Sequence, residues 1–275
     1  MLQEQIIYQR NSKGSLIAFN VQTIEHLHVL SKVSEELNKP VIAQFSSKYI
    51  RYWENVLGMK VLIDRFQRDK LYFHLDHCLD LKLIRFCIDL GFAGVMFDGS
   101  SLNLEENLTT SRQLKEYINT KGKRAVLEVE LGSITGVEDD FEGAAGADYY
   151  SMEDLERFAG HRTFDLMALA IGNAHGQYAS TGDVKPLLLK SATTQFPELN
   201  LVLHGGTGLP VPLVLECIQY GVVKINVSTD LKIVTQTAMR EFASSCEEFN
   251  QSGWSEFFNE RLQSFYKTYI KQYTK

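Results

Sequence analysis

"CIDLGFAGVMFDGSS" (87–101) and "CIQYGVVKINVST" (217–229) follow one order of events. Each leaves the end of a helix-like segment, passes a glycine, runs through a short apolar strand and stops on a polar tip. A unit that recurs this way points to a repeated βα architecture. Working outward, eight apolar runs read as strands: "SLIAFN" (15–20), "PVIAQFS" (40–46), "LYFHLDH" (71–77), "GVMFDGS" (94–100), "AVLEVELG" (125–132), "LMALAIGNAH" (166–175), "LVLHGG" (201–206) and "VVKINVS" (222–228). Near-continuous apolarity suits strands buried on both faces. Amphipathic stretches lie between them. Residues 23–39 carry Ile24, Leu27, Val33 and Leu37 at helical spacing, and residues 103–122 open on the cap pair Asn103 and Glu106 and end at Gly122. Eight strand–helix units, with no Gly-x-Gly-x-x-Gly after the first strand, favour an α/β fold of the (β/α)8 TIM-barrel type over a doubly wound sheet. Residues 1–275 read as a single barrel domain, with 254–275 as a C-terminal helical extension.

Composition agrees with a large self-sufficient core. The chain has 275 residues and a formal charge of −6, and no Lys/Arg run exceeds two residues, which argues against nucleic acid. No apolar run approaches a membrane span, and "MLQEQIIYQR" lacks the basic start and apolar run of a signal peptide. Cys78, Cys87, Cys217 and Cys246 show no CxxC spacing and read as free thiols of a reducing cytoplasm.

The polar tips are the informative part. Asn20, Ser46, Asp76 with His77, Asp98, Glu130, His175, His204 and Asn226 each end one of the eight runs. In a barrel those ends converge on one rim, where active sites are built. His77, His175 and His204 then supply three imidazoles with room for a fourth ligand, the donor set of a catalytic zinc site. His74 reads as a hydrogen-bonded core residue or a support to the site, and His26, His28 and His161 as ordinary surface or partly buried residues. Asp76 should point away from His77 unless the strand ends there. Glu128 and Glu130 share one face by period two; Asp98 and Glu130 are either a second cation site or buried carboxylates satisfied by Lys or Arg inside the barrel.

"HGGTG" (204–208) and "KINVST" (224–229) follow the last two strands, where such barrels often bind phosphate through Gly-rich turns and a helix N-terminus. "GSITGVEDDFEGAAGADYY" (132–150) is a long loop whose glycines would let it move as a lid carrying Glu138, Asp139 and Asp140.

Taken together, "AFN", "QFS", "HLDHC", "FDGS", "EVELG", "GVEDD", "AIGNAHG", "LHGGTG" and "KINVST" resemble, in order over residues 15–240, the blocks of the class II metal-dependent ketose-bisphosphate aldolases, a family that includes fructose-bisphosphate and tagatose-bisphosphate aldolases. The resemblance implies a carbon–carbon lyase that reversibly cleaves a ketose (bis)phosphate to dihydroxyacetone phosphate and an aldehyde such as glyceraldehyde 3-phosphate. By the same resemblance His77, His175 and His204 are zinc ligands, Asp76 and Glu138 are the catalytic proton carriers, and Asp98 and Glu130 match a second metal position. Gly176, Gly205, Gly206, Thr207, Asn226, Val227, Ser228 and Thr229 match the phosphoketone pocket, and Asn20 and Ser46 lie near the substrate. The family also implies a monovalent cation (Na+ or K+) near the phosphate and a dimer or tetramer.

Two stretches depart from the family pattern. "SSKYIRYWENVLG" (46–58) replaces a small Gly/Ala-rich turn, and 254–275 lacks a Gly-containing tail. The aldehyde-binding half is therefore open; Lys48 or Arg51 is either a contact to a distal anion or a solvated helix start. The apolar side of the last helix (Trp254, Phe257, Phe258, Leu262, Phe265, Tyr266, Tyr269) needs a cover, from a second subunit or from its own barrel. The competing readings are a metal-dependent hydrolase on the same barrel, against which the first strand ends in "AFN" rather than His-x-His, and a catalytically silent aldolase-like binding protein. A Schiff-base route through Lys224 is the minor alternative chemistry.

Overall fold

The computed structural model describes residues 1–138, 141–142, 149–176, 181–245, 248 and 250–275, leaving aside the side chains of 137, 138, 141 and 142. The chain runs α1 (Leu2–Ser12), β1 (Leu16–Asn20), α2 (Ile24–Leu37), β2 (Val41–Ser46), α3 (Ser47–Val56), α4 (Met59–Phe66), β3 (Leu71–Asp76), α5 (Leu81–Leu90), β4 (Gly94–Phe97), α6 (Leu104–Thr120) and β5 (Val126–Leu131). It continues with β6 (Val137–Glu138), β7 (Phe141–Glu142), α7 (Met152–His161), β8 (Leu166–Leu169), α8 (Pro186–Gln195), β9 (Leu201–Leu203), α9 (Val211–Gln219), β10 (Val222–Val227), α10 (Thr229–Ser245) and α11 (Gln251–Tyr273). Eight strands close in the order β1-β10-β9-β8-β5-β4-β3-β2, and every pairing in the ring is parallel. This is the expected (β/α)8 barrel. Residues of all eight strands are buried, because helices cover the outside and side chains fill the inside.

Three local features differ from expectation. First, α1 plugs the bottom of the barrel: Leu2 and Ile6 join Leu16, Ala18, Ile42, Tyr72 and Leu166 in the inner core. Its sequence hides this, since only Leu2, Ile6 and Gln9 are buried. Second, β6 and β7 form a short antiparallel hairpin within the stretch expected as loop. Third, β8 stops at Leu169, well short of His175. Asn173 Oδ1 accepts from Ile171 N at 3.0 Å, and Gly172 sits at φ +85 with the Asp183 carbonyl where a Cβ would go. The chain is thereby turned out of the ladder.

The departing stretch after Ser46 forms two helices, α3 and α4. The C-terminal helix starts at Gln251, capped by Asn250, and covers its own barrel. Phe258, Leu262, Tyr266, Ile270 and Tyr273 are buried, and Tyr266 meets Phe19 of β1 edge-on at 4.7 Å. Its apolar face thus finds a cover within the chain, each fully buried side chain contributing about 1.5–3 kcal/mol.

His26 is the keystone of this corner. It is buried in α2, its Nε2 lies 3.0 Å from Thr235 Oγ1 of α10, its Nδ1 accepts from Gln22 N, and its ring packs on Phe258 of α11. Burial lowers its pKa to about 4, outweighing the nearby Glu25. The unfolded chain, with an ordinary histidine near 6.5, binds the proton first as pH falls, so stability is full above that value and is lost between about 6.5 and 4. Going from pH 7.5 to 5 should cost about 2 kcal/mol from this residue alone. Urea unfolding at the two pH values should show a smaller pH dependence, by that amount, in His26→Gln than in wild type.

Candidate active site

The rim at the C-terminal ends of the strands gathers the expected residues. β3 ends at Asp76, and His77 follows with φ +28, a left-handed turn that side-chain-bearing residues rarely adopt. This turn defeats strand alternation. Asp76 Oδ1 and His77 Nε2 lie 4.0 Å apart, so the two side chains share one side of the strand end. Asn20 Nδ2 donates to Asp76 Oδ2 at 2.8 Å and Asn226 Nδ2 approaches Oδ1 at 3.4 Å, while Gln44 Nε2 holds Asn20 Oδ1 at 3.0 Å. Gln44, absent from the sequence-based set, belongs to the site through its strand register: it lies opposite Asn20 on β2.

His77, His175 and His204 come together, each offering a ring nitrogen within 4.8 Å of the others. They arrive from different places. His77 sits one residue past β3 and His204 one past β9, whereas His175 rides the loop after β8, its backbone N–H donating to Thr135 O at 2.7 Å. Asn173 Nδ2 donates to His204 O at 3.0 Å and ties that loop to β9.

The outer nitrogens reveal the tautomers. His77 Nδ1 lies 2.6 Å from Asp98 Oδ2, and His204 Nε2 lies 2.8 Å from Glu128 Oε1. An ionised carboxylate only accepts, so the hydrogens sit on those nitrogens. The inner nitrogens, His77 Nε2 and His204 Nδ1, face each other at 2.9 Å. The carboxylates around His77 favour a proton there, whose Nε2–H donates to His204 Nδ1; a divalent cation would replace that proton and take both lone pairs. Outer nitrogens anchored on carboxylates and inner ones converging is the arrangement of metal-binding histidines, so the residues present fit a divalent metal with nitrogen donors.

Electrostatics divides three of the buried carboxylates. Burial alone would raise Glu128, but Lys224 Nζ at 2.8 Å, with His204 and His74 beside it, holds its carboxyl well below the usual range. His74 Nε2 is 3.3 Å from Glu128 Oε2, which makes the strand-interior histidine a support to the site. Asp98 is likewise lowered against its burial, by His77 and by Ser100, whose N–H and hydroxyl both donate to Oδ1. Glu130 goes the other way. Burial, reinforced by Asp98, pushes it well above the usual carboxylate range, and its Oε2 has no hydrogen-bond partner among the described residues. His77, Asp98 and Glu130 form a second set with ligand atoms within 4.8 Å. Burial lowers His204 to about 4 despite Glu128, whereas at His77 the surrounding Asp76, Asp98 and Glu130 outweigh burial and lift it well above the ordinary histidine value.

Directly after His204, Gly205 (φ +65) and Gly208 (φ +76) shape the turn that follows β9. Thr207 Oγ1 accepts from Asp230 N at the start of α10, bringing this turn onto the helix N-terminus. Gly206 is close-packed, since a Cβ there would meet Ile225 and the Asn226 carbonyl. Ser46 Oγ, Asn226 Oδ1 and Ser228 Oγ are buried without a hydrogen-bond partner among the described residues. Gly176 (φ +90) follows His175. Val227 ends β10 and Thr229 begins α10. Arg51 pairs with Asp80 at 3.0 Å on the surface and so is occupied as a helix-start salt bridge; Lys48 is exposed. The backbone of Glu138 lies in β6, but its side chain, like Asp139 and Asp140, lies outside the described residues.

The family model "Fructose-bisphosphate aldolase class-II" matches residues 2–275. The chain belongs to the class II fructose-bisphosphate aldolase family. Among relatives of this aldolase, the fructose-bisphosphate aldolase of Staphylococcus aureus (strain N315) is 30% identical over 254 residues, covering 90% of this chain and 87% of that protein. The sulfofructosephosphate aldolase of Alkalicoccus urumqiensis is 33% identical over 232 residues, covering 83% and 78%. The same fold recurs in the YdjI aldolase from Escherichia coli K12 (TM-score 0.81, 20% identity, 99% and 96% covered) and in fructose-bisphosphate aldolase from Campylobacter jejuni (TM-score 0.78, 22% identity, 99% and 93% covered). The resemblance drawn from the sequence blocks is thus borne out for family and fold. Lys224 of the aldolase is wholly buried and donates to Glu128, which leaves its amine engaged as an ammonium rather than presented as a nucleophile.

The glycine at the start of β4 serves the same network. A Cβ on Gly94 would fall 2.4 Å from His74 Cδ2 and 2.9 Å from Val126 Cγ2. Gly94→Ala should therefore lower stability by about 1–3 kcal/mol, the usual cost of overpacking, measurable as a reduced urea midpoint.

Proposed function

We propose that this aldolase is zinc-dependent and reversibly cleaves a ketose (bis)phosphate to dihydroxyacetone phosphate and an aldehyde such as glyceraldehyde 3-phosphate. The single observation that carries this reading is the pair of inward-facing imidazole nitrogens 2.9 Å apart, with both outer nitrogens held by carboxylates. His77, His175 and His204 would hold the metal. When bound, Zn2+ supplies a Lewis acid that stabilises the oxyanion developing on the substrate ketone.

The remaining work falls to the chain. Asp76, fixed by Asn20 and Asn226, takes the proton from the hydroxyl whose carbon becomes the aldehyde. The carbon–carbon bond electrons pass to the phosphoketone half, and Glu138 returns a proton to that carbon. Gly176, Gly205, Gly206, Thr207 and residues 226–229 form the phosphoketone pocket, where Asn226 Oδ1 and Ser228 Oγ, unpartnered among the described residues, are left to meet polar substrate atoms. The turn at Thr207 and the α10 N-terminus favour an anion there. A monovalent cation (Na+ or K+) beside the phosphate, and a second divalent cation at Asp98 and Glu130, complete the reading. The latter would displace the His77–Asp98 hydrogen bond. Both curated relatives are named for phosphorylated fructoses with a second anionic group, so an anionic aldehyde is the substrate class to test first. A cytoplasmic dimer or tetramer fits the free, buried Cys78, Cys87 and Cys217 and the family; no described helix is long and apolar enough to cross a membrane.

Exhaustive chelation should abolish cleavage of fructose 1,6-bisphosphate in a coupled assay, and Zn2+ should restore it; activity surviving chelation would overturn the zinc assignment. Asp76→Asn should keep its bound zinc by elemental analysis yet lose roughly a hundredfold or more in kcat.

A further inference from the structure

The barrel interior holds one more arrangement that the reaction does not use directly. Lys224 on β10 and Glu128 on β5 are not on neighbouring strands; β9 and β8 separate them in the ring. Their ion pair therefore crosses the inside of the barrel. Both side chains are fully buried, as is His204. Lys224 Nζ takes Glu128 Oε2 at 2.8 Å, Glu128 Oε1 takes His204 Nε2 at 2.8 Å, and His204 Nδ1 faces His77 Nε2 at 2.9 Å. His74 Nε2 stands 3.3 Å from Oε2.

We propose that Lys224 is a positioning residue for the metal centre: its ammonium fixes the Glu128 carboxylate, which in turn fixes the His204 ring with Nδ1 turned toward His77 and His175. The proposal rests on the reading of those three histidines as metal ligands. Its physical basis is direct. A carboxylate anchored at only one oxygen can swing about its last bond and lose its hold on the imidazole. With Lys224 on one oxygen and His204 on the other, that swing is blocked from both sides. The hydrogen on His204 is then confined to Nε2, and Nδ1 keeps its lone pair for the metal. Lys224 has three donors and no acceptor, so it cannot offer Glu128 the wrong partner. A pair that merely filled the barrel would need no link to His204, because a buried ion pair is by itself weak support for a fold.

The test separates positioning from folding. Lys224→Met leaves Glu128 buried without its counter-charge, a change that threatens folding, so the double variant Lys224→Met/Glu128→Gln, which removes both charges together, runs beside it. Folding is checked by circular dichroism. Zn2+ dissociation constants come from competition with a chromophoric chelator, and the geometry of the site from the visible spectrum of the Co2+-substituted protein. The folded double variant should bind Zn2+ about 10–100-fold more weakly than wild type and show an altered Co2+ spectrum. Wild-type affinity and an unchanged Co2+ spectrum in the folded double variant would overturn the proposal while leaving the metal reading intact. Wild-type protein that takes up neither ion would overturn both.

Discussion

The pairing of β1 with β10, from Leu16 opposite Lys224 to Phe19 opposite Val227, joins the two ends of a sheet that would otherwise lie open. Nearly every functional contact depends on that closure. Asn20 at the end of β1 and Asn226 near the end of β10 meet only because the ring is shut, and both then reach Asp76 from β3. Lys224 can cross to Glu128 for the same reason. Closure also turns a row of strand ends into a concave rim, so that side chains too far apart on a flat sheet share one small volume.

Within that volume, placement decides the charge of groups that are chemically alike. Glu128 and Glu130 stand two residues apart on one strand. The first faces an ammonium and stays ionised; the second faces Asp98 and is driven toward its neutral form. Asp98 is drawn down by its hydrogen bonds to His77 and Ser100. A set of carboxylates without these counter-groups would be too costly to bury together.

Much of this was legible in the sequence. Continuous apolar runs marked the eight strands, and polar residues at their ends marked the rim, because strands covered on both faces admit few polar side chains, and His74, Glu128 and Lys224 inside them lie against one another. The three histidines and Asp76 stood out as polar ends of strands, and the glycines of 204–208 as a turn after the seventh strand. Other features follow from contacts that one-dimensional spacing does not carry. The φ of +28 at His77, which brings it beside Asp76, breaks the alternation on which strand reading depends. His175 leaves the ladder with the turn at Gly172 and returns to the site through Thr135. Helix α1 has too few apolar residues to announce itself, yet Leu2 and Ile6 seal the barrel floor. The cover of the C-terminal helix was left between its own barrel and a second subunit, and Phe19 and His26 supply it from the beginning of the chain.

That last contact has a consequence for how the molecule is made. Synthesis runs from the N-terminus, so β1 and α2 leave the ribosome long before β10 and α11, the elements that flank and cover them. During that interval the sheet has an open edge at β1, and Phe19 and His26 lack the aromatic face that later shields them. Contacts of such large sequence separation form late and slowly. His204, the last of the three, lies in the final third of the chain, so the imidazoles converge only late in synthesis. The order of the strands thus postpones assembly of the reactive centre until the scaffold able to hold it has been translated.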